Sequence, residues 1–203
     1  MSFDDYIMMR SKALILRDNG DYDYTKGEMN PVIFEEFVGE VLDRKVPEVI
    51  WEPFAGHTGK SKTQDFVSDI EGLEVISFDL KPSDCRVRRE DSTKTGPIKS
   101  IGGMLFHPSY YGSMFCASAD EVAFASNKDK YVQRIEKTVM LAVDWLVAGG
   151  LVCAVGRDYR YSGQRVRLDL WYLEMFERMG MSLINIWSSE PDVVMIFERK
   201  NHE

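Results

Sequence analysis

Two short stretches of this chain hold residue types whose spacing could do chemistry. The first is Glu52-Pro53-Phe54-Ala55-Gly56-His57-Thr58-Gly59, directly after the apolar run Val49–Trp51. Gly56 and Gly59 there let backbone approach a ligand closely and open a helix whose first N–H groups would face it. About twenty residues on, a second apolar run ends at Asp79, where a carboxylate can accept hydrogen bonds from ribose hydroxyls. The second stretch is His107-Pro108-Ser109-Tyr110-Tyr111, which ends the apolar run Gly102–Phe106. A neutral imidazole and a proline carbonyl are hydrogen-bond acceptors, and an aromatic ring can stack on a planar base that has left its helix. Together the two stretches point to group transfer from a nucleotide-like cofactor to a nucleobase.

Other chemistries compete for the same residues. Gly59-Lys60-Ser61 imitates the end of a phosphate-binding loop, but that pattern requires glycine where Phe54 stands, and a phenyl ring would crowd the turn that wraps phosphates. A glycine turn that binds nothing is the plain structural alternative. His57 is more simply a loop residue than a base. Cys116 lacks the preceding proline expected of a cytosine-attacking nucleophile. No HxxxH pair or paired-carboxylate motif calls for a metal.

The elements that must position these residues alternate between strand and helix. Residues 6–17 could form a short helix, and Asn30-Pro31 starts a clearer one, with Asn as cap and proline in the first turn. From residue 47 onward, Val49–Trp51, Glu74–Phe78, Gly102–Phe106 and Leu151–Val155 read as strands. Residues 60–71, 131–147 and 166–179 read as helices, with Gly149-Gly150 stopping the second of them. Ser182–Trp187 and Val193–Glu198, separated only by Glu190-Pro191-Asp192, must pair antiparallel at one edge. Such alternation implies an α/β fold, a mostly parallel sheet covered by helices on both faces, with a C-terminal antiparallel strand. The division is a helical segment over 1–46 and an α/β core over 47–203 in a single domain, with no separate target-recognition domain. Residues 108–130 form a loop long enough to be a lid or substrate loop.

Composition narrows the setting. The chain has 203 residues, enough for one sizeable core. No apolar run approaches the roughly eighteen residues of a membrane span, and the acidic start Met1-Ser2-Phe3-Asp4-Asp5 is unlike a signal peptide. Three dispersed cysteines without a CxxC point to a reducing, cytoplasmic setting. The net charge of −8 is unusual for a protein that grips a duplex. The cations are clustered, however: Arg86, Arg88 and Arg89 form one knot, and Arg157, Arg160, Arg165 and Arg167 another. These are either solvated loops or a basic rim around a site on an acidic body. Tyrosines interleave the second knot, a composition suited to backbone phosphates and stacked bases.

The sequence Glu-Pro-Phe-Ala-Gly-x-x-Gly resembles the Asp-Pro-Phe-x-Gly-x-Gly cofactor motif of the S-adenosylmethionine-dependent amino methyltransferases that act on DNA adenine N6 or cytosine N4. His107-Pro108-Ser109-Tyr110 stands where that family carries [Asp/Asn/Ser]-Pro-Pro-[Tyr/Phe/Trp]. The resemblance covers most of residues 28–199 and implies a Rossmann-like, seven-stranded class I methyltransferase fold. It implies S-adenosylmethionine bound by Asn30, Glu52, Phe54, Gly56, Gly59, Asp79 and Asp91, with Glu52 near the cofactor's amino group, Asp79 on the ribose and Asp91 at the adenine. It implies that His107, Pro108, Ser109 and Tyr110 make the catalytic loop, with Tyr111, Arg157, Arg160 and Arg165 on the substrate. Its departures are the histidine in place of the usual acceptor and the serine in place of the second proline. The partner expected is nucleic acid, DNA foremost, with sequence specificity left to residues 108–130, a second subunit or a partner protein.

Overall fold

A computed structural model describes residues 1–17, 29–56, 61–109, 128–161, 164–190 and 192–200, with backbone alone for 159–161, 164 and 165. Its centre is an eight-stranded sheet whose strands are β1 (Leu14–Ile15), β2 (Val49–Glu52), β3 (Glu74–Asp79), β4 (Arg88–Arg89), β5 (Ile101–Phe106), β6 (Leu146–Gly156), β9 (Met181–Ser189) and β10 (Asp192–Arg199). They lie in the order β1-β9-β10-β6-β5-β2-β3-β4. Only β10 runs antiparallel to its neighbours, β6 and β9. A separate hairpin, β7 (Tyr159–Tyr161) and β8 (Gln164–Val166), leaves the sheet after β6.

Side-chain alternation divides the core between the two sheet faces, as pleating requires. Ile50, Leu105, Leu151, Cys153, Val155 and Ile196 face α2 (Pro31–Leu42) and α3 (Lys62–Val67). Trp51, Phe78, Met104, Phe106, Val152, Ala154 and Phe197 face α1 (Phe3–Ser11), α4 (Lys128–Trp145) and α5 (Leu168–Arg178). Two glycines of β5 let α2 and the loop after it sit close. A Cβ on Gly102 would come within 2.0 Å of the Pro47 carbonyl oxygen, and one on Gly103 within 3.0 Å of Phe37 and Val41.

The expected elements form, with three differences of physical origin. The segment expected to be helical through residue 17 is helical only to Ser11. A capping box between Ser2 and Asp5 starts that helix, and Leu14–Ile15 then takes up edge backbone groups of β9, pairing Leu14 with Trp187. This short strand is the eighth, one more than the seven expected. Gly149-Gly150 does not end the preceding helix, which stops at Trp145. The glycines fall inside β6, where the register against β5 jumps from Ile101↔Leu146 to Gly103↔Leu151. Gly149 there has φ 77°, which glycine adopts without the Cβ clash of other residues. The stretch after Gly156 is a β-hairpin with Tyr159 opposite Val166, where an arginine-rich loop was expected.

Candidate functional site

The sheet order reverses between β2 and β5, adjacent parallel strands with Ile50 opposite Gly103 and Trp51 opposite Met104. Crevices for ligands open at the carboxyl ends of strands at such a point. Both stretches singled out in the sequence leave the sheet there. Phe54, in the turn after β2, and Phe106, the last residue of β5, touch edge to face with centroids 5.8 Å apart. Phe106 also contacts Tyr172 and Phe176 of α5, so an aromatic wedge fixes both chain exits.

The turn after β2 is tied to its other neighbour as well, since the Ala55 N–H donates to the Phe78 carbonyl at 3.0 Å. Gly56 follows with φ 80°, a conformation that favours glycine. His57 and Gly59 lie outside the described residues. Glu52, at the end of β2, is buried, and its Oε2 accepts from the hydroxyls of Thr63 at 2.8 Å and Ser77 at 2.7 Å. Burial raises its carboxyl pKa above the usual carboxylate value; the two hydroxyl donors oppose that, and the charge of Asp79 adds to it.

Behind Glu52 the bonds continue. Thr63 Oγ1 lies 2.8 Å from Ser61 Oγ, and the Ser61 N–H donates to Asp84 Oδ2 at 2.9 Å. Asp84 also accepts from Arg86, which reaches on to Asp65 at 2.7 Å. Arg86 is thereby part of the loop's foundation, whereas Arg88 and Arg89 are exposed on β4. In the sequence Thr63 and Ser77 carry no motif, and Ser61 figures only in the phosphate-loop look-alike. The only other signal of these three hydroxyls is that two of them begin the helix after the glycine turn and the third lies two residues before Asp79.

Asp79 ends β3 half-exposed, with Oδ1 accepting from the Lys81 N–H at 2.7 Å. Asp91 lies beyond β4 but is engaged locally. Its Oδ1 accepts from the Thr93 N–H and hydroxyl at 3.0 and 2.7 Å, and Oδ2 pairs with Lys94 at 2.7 Å. Burial alone would raise its pKa, yet these donors outweigh it and hold the carboxyl below its ordinary value. Asn30 is likewise committed within the protein. Its Oδ1 caps α2 through the Val32 N–H, and its Nδ2 donates to the Arg17 carbonyl and to Ser189 Oγ.

On the other side of the crevice, His107 follows β5, Pro108 is buried and Ser109 is exposed. The Tyr131 hydroxyl, from the first turns of α4, donates to the Ser109 carbonyl at 3.2 Å. Burial lowers the His107 pKa and Arg157 lowers it further, while Asp192 acts the opposite way. Arg157, expected to face substrate, forms a two-pronged ion pair with Asp192 through Nε at 2.7 Å and Nη2 at 3.1 Å. The Asp192 side chain is 1% exposed. In the sequence it read only as part of the final turn. Tyr110 and Tyr111 lie outside the described residues. Arg160 and Arg165 are paired backbone positions of the β7–β8 hairpin.

The base of that hairpin is closed by charge. Arg167 pairs with Asp158 at 3.1 Å and with buried Asp169, which also receives Tyr6 at 2.5 Å and Arg10, both from α1. Burial would raise the Asp169 pKa, but Arg167 and Tyr6 bring it down to about 2.

The fold has counterparts among solved structures. The 1,6-didemethyltoxoflavin-N1-methyltransferase of Burkholderia thailandensis, solved with 1,6-didemethyltoxoflavin and S-adenosylhomocysteine bound, matches with TM-score 0.56 at 13% identity, over 98% of this chain and 87% of that one. The fold is that of class I methyltransferases. N-methyltransferase NodS from Bradyrhizobium japonicum WM9 matches with TM-score 0.52 at 11% identity, over 85% of this chain and 98% of that one. An rRNA methylase from Streptococcus thermophilus matches with TM-score 0.50 at 10% identity, over 86% and 98%. No family model matches the chain, and no curated protein sequence matches it significantly. No described helix is long and apolar enough to cross a membrane.

Proposed function

We propose that the chain is an S-adenosylmethionine-dependent methyltransferase that methylates an exocyclic amine of adenine or cytosine in DNA. The observation that carries this reading is the meeting of the two motifs at the β2–β5 switch point, bridged by the Phe54–Phe106 contact. The methyltransferase activity of the structural neighbours supports it.

The acceptors available suit S-adenosylmethionine, which carries an ammonium group and a ribose diol. Glu52 and Asp79 end adjacent strands, and a Cβ on Gly56 would meet nothing within 4 Å among the described residues. Asp79 would take the ribose hydroxyls and Glu52 the ammonium, with Phe54, Gly56 and Gly59 lining the turn. Asn30 and Asp91 serve this site through the architecture, by capping α2 and by holding the turn after β4. When bound, the cofactor supplies an electrophilic methyl group on sulfur.

The residues after β5 prepare the acceptor. An exocyclic amine is a weak nucleophile because its lone pair is delocalised into the ring. His107, kept neutral by burial, and the Pro108 carbonyl accept its N–H hydrogens and draw the nitrogen toward tetrahedral geometry. Tyr110 stacks on the extruded base, Ser109 shapes the loop, and Tyr111, Arg160 and Arg165 hold the flanking strand. Arg157 contributes through its pair with Asp192. The amine proton passes to solvent once nitrogen is alkylated.

The net charge of −8 favours a second reading, in which the same site serves RNA or a free nucleotide, because an acidic body disfavours a long duplex. Transfer of labelled methyl from S-adenosylmethionine, measured on duplex DNA, single-stranded DNA, RNA and nucleotides, separates these. Label on DNA amines that is lost in Tyr110→Ala and His107→Ala is the expected result. Label on RNA or nucleotides alone selects the second reading, and activity unaffected by either variant overturns the base-gripping assignment.

A further inference from the structure

We propose that the Arg157–Asp192 ion pair is a positioning device for His107, one that presents the imidazole at the substrate edge as a neutral hydrogen-bond acceptor. The inference deepens the proposed reaction and rests on that reading for the role of His107. Its geometric basis is the register of three neighbouring strands. Phe106 of β5 lies opposite Ala154 of β6, and Gly156 of β6 lies opposite Val193 of β10. Continued outward, this register sets His107 level with Val155, and Arg157 and Asp192 follow just beyond the Gly156–Val193 pair, so all three lie at one end of the sheet on strands that are adjacent in space and distant in sequence.

The pair is built as a fixed element. Both prongs of the guanidinium engage the carboxylate, at 2.7 and 3.1 Å, a geometry that only arginine provides. Both side chains are largely buried, at 18% and 1% exposed. Buried ion pairs of this kind do more for geometry than for stability, since desolvation offsets most of their attraction. Among the described residues, the charged groups that act on His107 are these two, Arg157 just after β6 and Asp192 on β10. The helices beside the β5 exit bring aromatic side chains, Tyr131 from α4 and Trp171 and Tyr172 from α5, with Tyr131 and Trp171 in ring contact at 5.9 Å. The two charges oppose each other at His107, so deleting either partner tips the imidazole one way.

The test reads His107 directly by NMR titration of its imidazole, assigned with His107→Asn, in protein without cofactor or substrate. Arg157→Gln removes the guanidinium charge beside Asp192 and is expected to move the His107 midpoint up by about half a pH unit or more; Asp192→Asn is expected to move it down by a similar amount. The double variant is expected to return toward wild type. Shifts of the same sign in both single variants, or no shift in either, overturn the proposal. Should a single variant fail to fold, Arg157→Lys and Asp192→Glu take its place. They keep the charges but lose the two-pronged geometry, so an unchanged His107 midpoint with kcat reduced about tenfold at constant cofactor KM is expected, and an unchanged kcat overturns the proposal. Absence of methyl transfer by wild-type protein would defeat the proposed function alone, because the titrations proceed without it.

Discussion

The hydroxyl of Tyr131 donates to the carbonyl of Ser109 across 3.2 Å, so that the first turns of α4 hold the chain just where it leaves β5. Tyr131 is itself buried and leans on Trp171. Removing the hydroxyl costs its bond to the Ser109 carbonyl and almost no packing. Tyr131→Phe is therefore expected to lower kcat about fivefold, the equivalent of about 1 kcal/mol of lost positioning, with cofactor affinity unchanged. Steady-state kinetics with calorimetric cofactor binding checks this; an unchanged kcat would remove the carbonyl tether from the account.

Glu52 sets function against stability. Its folded pKa is raised above the ordinary carboxyl value, so the folded state resists ionisation that the unfolded chain accepts. The stability contributed by the protonated form is complete at acid pH and is lost as pH rises past about 4.5 through the folded pKa. Glu52→Gln keeps an acceptor for Thr63 and Ser77 without that loss. It is expected to raise Tm by about 3–5 °C at pH 8 and by little at pH 4, while weakening cofactor binding. Thermal melts across pH decide it, and a uniform decrease in Tm would count against a protonation cost.

Asp169 behaves in the opposite sense. With its pKa brought down to about 2, it contributes stability above the ordinary carboxyl range, and this is lost as pH falls toward that value. Asp169→Asn should cost about 2–3 kcal/mol at pH 7, with the difference shrinking as pH approaches 2. Urea unfolding at the two pH values measures both terms. An equal cost at each would show that packing, and not charge, carries the contribution.

Ile98, in the turn before β5, has φ 63°, a left-handed conformation that is costly for a β-branched residue, and its side chain is 65% exposed. Asparagine tolerates that conformation. Ile98→Asn is expected to stabilise the protein by about 1 kcal/mol and leave catalysis unchanged. A fall in the urea midpoint would mean that Ile98 makes contacts worth more than the strain.

The sheet was legible in the sequence because its strands are apolar runs bounded by turn residues, and Asp79 was legible because it ends one of them. Asn30 was recognised for its local role, since a cap followed by proline has a signature within a few residues. The arrangement around His107 could not be read the same way. Arg157 and Asp192 are far apart in the chain and meet only because β10 inserts antiparallel beside β6. Arg157 on its own reads as a cation free for phosphate, and nothing local reveals its partner. The strand Leu14–Ile15 was hidden for a related reason: its apolar residues fit a helix, and only the edge of β9 makes extension the better choice. Gly149-Gly150 was recognised as a break in the pattern, but the break belongs to a register jump that depends on the neighbouring strand.

The hydrogen bonds behind the glycine turn have a direction. The hydroxyl hydrogens of Thr63 and Ser77 both point to Oε2 of Glu52, so the Ser61–Thr63 bond must be donated by Ser61. With Oε2 already serving two donors, Oε1 is left to take either a proton or an approaching cation. The two then compete for one oxygen. On the proposed reading, capture of an ammonium-bearing ligand by Glu52 is an exchange that releases a proton, and the ligand's affinity is expected to climb with pH across the range where Glu52 would otherwise stay protonated.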